Sequence, residues 1–150
     1  MLAVSVVLLV RELGSLHARI RDWSPIRFAA SALASDALMQ ALTPVAGPAP
    51  APATRGDAVY LLVVGLARWG RVAGVPVPAD VDPPRLGDHS LADQLAVTGA
   101  DLLAAAEVEA VALAALRAVA AARTGVDGSS PPADVGAALD SAVPPDSGAV

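Results

Sequence analysis

From Ala58 to Gly74 the chain reads AVYLLVVGLARWGRVAG, and one property of this stretch limits every fold it can join. On a helical wheel its charges, Arg68 and Arg71, fall with the preceding Asp57 on one narrow edge, and all other positions are apolar or glycine. Such a helix has to be surrounded, which makes it the candidate centre of a bundle, with Asp57 as its cap. Its β-branched residues and glycines leave a buried strand as the alternative for part of the segment.

At 150 residues with 55% hydrophobic content, the chain has the size and apolar material for one domain with a real core. Lysine is absent and all ten basic residues are arginine, a bias that GC-rich coding produces and that fits an actinobacterial source. The absence of cysteine removes disulfides, thiolate nucleophiles and most structural zinc sites. Up to Ala73, seven arginines stand against four acids. From Gly74 onward, three arginines face eleven acids, so the net charge of −5 divides into +3 and −8. The basic half has no dense cationic run, which argues against nucleic acid as a partner.

The opening MLAVSVVLLV has no positive charge before its apolar run and is too short to span a bilayer. A soluble, cytoplasmic protein without stable membrane insertion is expected.

Four segments carry helical periodicity. In the first, Leu2, Val6, Leu9, Leu13, Leu16 and Ile20 form an apolar seam, and the first ten residues are apolar on every side. Ser24-Pro25 reads as an N-cap and first helical position, opening a second helix over 25–43. Ile26, Ala30, Leu33, Ala37 and Ala41 make one stripe on it, with Phe28, Leu38, Met39 and Leu42 roughly opposite. Residues 44–56, PVAGPAPAPATRG, form a semi-rigid proline-rich spacer. The central segment follows, then a second proline-rich connector over 75–87.

Ser90 and Asp93 make a capping-box-like pair that opens the longest expected helix, over 90–123, with Gly125 as its stop. Gly99 is a candidate kink, with Asp101 recapping the second half. This helix has two apolar faces: Leu91, Leu95, Leu102, Leu113 and Leu116 on one, and Val97, Val108, Val111 and Val119 on the other. Residues 126–150 are rich in Pro, Gly, Ser and Asp without a basic residue, the composition of a disordered acidic tail dispensable for folding.

The residue types of a hydrolase triad occur together in Asp88-His89-Ser90, but sequence neighbours in that order do not aim at one another. Capping of a helix start accounts for them, so Ser90→Ala would cost about 1 kcal/mol. His17 and His89 lack the His-x-x-x-His or Glu-x-x-His spacing of a metal site, and His17 reads as a partly buried structural histidine. Glu109 projects from the leucine stripe, where it needs an arginine or a route to solvent. Trp69, between Arg68 and Arg71, is a core tryptophan, with an interfacial anchor or a cation–π partner as the alternatives.

Leu86-Gly87-Asp88-His89-Ser90-Leu91 resembles the thiolation motif of peptidyl carrier proteins, Leu-Gly-Gly-His/Asp-Ser-Leu. The resemblance covers six residues, and Asp88 stands where the family has its second glycine. It implies a phosphopantetheine arm on Ser90 at a helix N-terminus. The family's helix after the serine is much shorter than the one expected here.

Together these features predict an all-α antiparallel four-helix bundle over 1–125, with proline-rich connections. With no nucleophile–base pair, phosphate loop or metal spacing, the expected role is non-catalytic interaction or scaffolding, without a cofactor. The alternatives are a carrier modified at Ser90 and a small enzyme using the Asp88–Ser90 corner. Because the valine stripe and the first helix exceed what a four-helix monomer covers, self-association is expected, as a homodimer with Val97, Val108, Val111 and Val119 at the interface. Another protein is the alternative partner.

Overall fold

A computed structural model describes residues 3–33, 36–78 and 81–142. Among them the chain is all-α, with seven helices and no strand. They are α1 (Val4–Ile20), α2 (Pro25–Ala29), α3 (Asp36–Ala46), α4 (Arg55–Ala73), α5 (Leu91–Ala105), α6 (Glu109–Asp127) and α7 (Ala133–Ser141), with a 3₁₀ turn at Asp88–Ser90 before α5. None of the described helices is long and apolar enough to cross a membrane.

The apolar segment is helical throughout. Its cap lies one turn earlier than expected: the Thr54 hydroxyl accepts from the Asp57 amide at 3.1 Å, and the Asp57 carboxylate accepts from the Thr54 amide at 3.3 Å. This reciprocal pair satisfies two donors that the helix start leaves free. Gly74 closes the other end in the left-handed region, at φ 103°. Val59, Leu62, Val63 and Leu66 are fully buried, and α2, α3, α5 and α6 all pack on α4. Helix α1 lies against α5 and α6, so each of the four long helices touches two others.

The expected second helix is two. Ser24 caps α2 as anticipated, its hydroxyl accepting from the Arg27 amide, but Ala30 is extended. There the backbone pairs with the approach to α4: Ala32 N–H donates to Ala53 O (3.1 Å) and Arg55 N–H to Ala30 O (2.9 Å), while Leu33 N–H reaches Gly125 O (2.9 Å). These bonds replace helical ones. Phe28, Leu38 and Leu42 enter the core, and Ile26 and Leu33, expected on an apolar stripe, are exposed.

The expected helix over 90–123 is also two, broken at residues 106–108. A straight rod of that length would extend about 50 Å, beyond anything the other helices can cover. Gly99 is not the kink. It lies inside α5, where a Cβ would stand 3.2 Å from Leu13 Cδ1, so its smallness lets α1 and α5 approach. Asp101 is mid-helix and recaps nothing. Gly125 does not stop α6, which runs to Asp127 and ends at Gly128 with φ 73°.

The break also dissolves the valine stripe. Val111 and Val119 are buried in the core, whereas Val97 and Val108 are exposed. No continuous face of these four is left for a partner. It also places Glu109 in the first turn of α6, exposed, where the helix dipole favours a carboxylate.

The buried carboxylate is Glu12, at 2% exposure on the inner face of α1. Arg123 of α6 donates to its Oε2 at 2.8 Å, and Arg11 donates to its Oε1 at 3.2 Å. Arg11 also donates to Asp134 of α7 at 2.9 Å, and Arg19 pairs with Asp127. A buried charge is tolerated only when paired in this way.

The disordered-tail expectation is corrected over residues 126–142. Val126 belongs to α6, and Val135 of α7 is fully buried. Residues 143–150 lie outside the described residues. A chain ending at Ser130 loses α7 with its fully buried Val135, a side chain whose burial is worth about 1.5–3 kcal/mol. Thermal unfolding should show a midpoint lower by several degrees, and an unchanged midpoint would rule out docking of α7.

Candidate functional site

Between the second half of α4, the connector over 75–87 and α5 lies a groove of about 540 Å³. Residues 81–85 of the connector form a strap held to α4 along the edge that carries Tyr60, Arg68 and Arg71. Asp82 accepts from Arg68 Nη2 at 2.6 Å and from Arg71 Nη2 at 3.0 Å, and Arg71 also donates to Val81 O. The Tyr60 hydroxyl donates to Pro83 O at 2.7 Å, and Gln94 Nε2 of α5 donates to Pro84 O at 2.9 Å. Arg85 stacks 5.4 Å from the Tyr60 ring centre and donates to Asp88 at 2.7 Å. Arg68 ties in the end of α3 through Val45 O at 3.1 Å.

Arg68 is the chief cause of a depressed Asp82 carboxyl. Burial pulls the other way, Arg71 adds to the depression, and the balance falls at about 2. Strap and helix are thus joined by a charge-assisted network with two bonds from Arg68.

The groove walls are apolar, with Leu66, Val75, Val77, Val81, Leu86 and Val97 among them. Ser90, Asp93, Gln94, Thr98 and Asp101 supply the polar groups on the α5 side. The Gln94 amide orientation is set by Pro84 O, which needs a donor. Its Oε1 is consequently buried with no partner among the described residues.

Ser90 ends the 3₁₀ turn immediately before α5, half-buried in this groove, and makes no side-chain cap bond. The capping-box assignment for Ser90 and Asp93 is therefore corrected, and with it the stability cost attached to Ser90→Ala. Asp88 is engaged by Arg85, and no hydrogen bond joins Asp88, His89 and Ser90 among the described residues, so they form no assembled triad. His17 is half-buried on α1. Among the described residues no three His, Asp or Glu side chains gather as a metal site. Trp69 is core, and the cation–π contact of a tryptophan belongs to Trp23, 5.1 Å from the Arg27 guanidinium.

Sequence reasoning identified Ser90 and Val97 but did not place them together, and it missed the strap. One signal was available: the wheel edge of Asp57, Arg68 and Arg71 needed counter-charge, and Asp82 and Arg85 lie in the next connector.

No protein-family model, curated protein or solved structure matches this chain.

Protonation of Asp82 is easier in the unfolded chain, at the ordinary 3.8, than in the folded one. The clamp therefore contributes in full above about pH 4 and is lost as pH falls towards 2. Asp82→Asn should flatten the loss of stability across that window in urea titrations at stepped pH. An acid limb as steep as that of the unmodified chain would show that the clamp is not formed.

Proposed function

We propose that this chain is a non-catalytic helical binding protein that works through the groove between α4, the strap and α5. Its frame is a four-helix bundle of α1, α4, α5 and α6 with proline-rich connections. The observation that carries this is the groove's makeup: a largely apolar concavity with a few polar groups along one wall, in the size range of ligand sites. Ser90 enters this reading as a groove hydroxyl, and Asp88 beside it is engaged by Arg85. The neutral dye Nile red should brighten on mixing with the protein. A Val81→Glu, Val97→Glu variant, altered at two exposed positions, should lose that response. No brightening, or brightening that survives in the variant, overturns the proposal.

A second reading, self-association as a homodimer, is favoured by a different observation. Val4, Val7 and Val10 leave an apolar face of α1 uncovered, at 69%, 53% and 50% exposure. Neighbouring apolar side chains exposed at this level are the material of an interface. The valines first expected there now divide, with Val111 and Val119 in the core and Val97 in the groove. Sedimentation equilibrium at micromolar concentration should give a dimer that Val7→Glu dissociates and Val108→Glu does not. A monomeric unmodified chain refutes this reading.

A further inference from the structure

We infer that the groove takes a small cationic amphiphile, with an apolar body against the strap and α4 and an ammonium or guanidinium head on the α5 side. This deepens the binding role proposed above and rests on it. The first ground is charge. Arg71, the one cation among the described residues that line the groove, is paired with Asp82 and also donates to Val81 O. Asp93 and Asp101, both exposed and both lining the groove, have no arginine within ion-pair distance among the described residues.

The second ground is that the remaining polar groups on that wall favour a donor. The Thr98 hydroxyl already donates to Gln94 O at 2.7 Å and has only accepting capacity left, and the Ser90 hydroxyl is not spent on a helix cap. An anionic head would face two uncompensated carboxylates there, whereas a cation is attracted to both. The third ground is size. The groove's 540 Å³ lies within the range of small-molecule sites and suits a compact organic cation.

The test uses the full chain and three probes of one length below their micelle concentrations: decylammonium, decanol and decanoate. Binding is read by calorimetry and by methyl resonances of Val81, Leu86 and Val97, with Ile26 as a remote control. Decylammonium should bind at least about ten-fold more tightly than decanoate and shift the groove methyls. In the Asp93→Asn, Asp101→Asn variant that preference should collapse while decanol binding is kept. Equal binding of all three probes at the groove would overturn the cationic assignment and leave the binding role standing. A preference for decanoate, or one for the cation that survives in the variant, also overturns it. If no probe shifts the groove methyls, the binding role fails as well.

Discussion

Helix α4 has almost no surface to give to water, and the remainder of the structure follows from covering it. Four helices pack on its apolar sides. The edge that carries Asp57, Tyr60, Arg68 and Arg71 is left for polar contact, and it is occupied by residues 81–85 of the connector. A helix otherwise buried can keep charged groups only where counter-charges and carbonyls meet them.

The connector suits that task because proline carbonyls remain strong acceptors while proline offers no amide donor of its own. Val81, Pro83 and Pro84 each present a carbonyl to a side-chain donor from α4 or α5. The strap is thereby held at its polar points without filling the space beneath it. Valines and leucines of strap and helices line that space, so the groove is a by-product of how α4 satisfies its own charges.

Between α1, α6 and α7 a second polar network does related work. Glu12 and Arg123 join α1 to α6 in a site nearly closed to water, and Arg11 extends the connection to α7. Glu12 was visible in the sequence as a carboxylate flanked on one helical face by Leu9, three residues before it, and Leu16, four residues after it. A helix continued through residues 106–108 would set Glu109 on the leucine stripe, whereas the break turns that carboxylate to solvent.

Local chemistry by itself determined the helical class, the central place of residues 58–73, the Ser24–Pro25 helix start and the non-helical run that follows Gly74. Each of these depends on a repeat period, a cap or a missing amide, all of which act within a few residues. Tertiary structure alone decided the two helix breaks. At Ala30–Leu33 backbone bonds to residues 53, 55 and 125 outcompete helical ones, and at 106–108 the finite size of the core forbids a longer rod. It also decided which valines are buried, since a break resets the angular relation between the two halves of a wheel. The groove lay beyond sequence reasoning for the same reason. Ser90, Gln94 and Val97 share a wall with Val81 and Leu86 only after Arg68 and Arg71 have captured Asp82, a contact set by three-dimensional packing and not by local propensity.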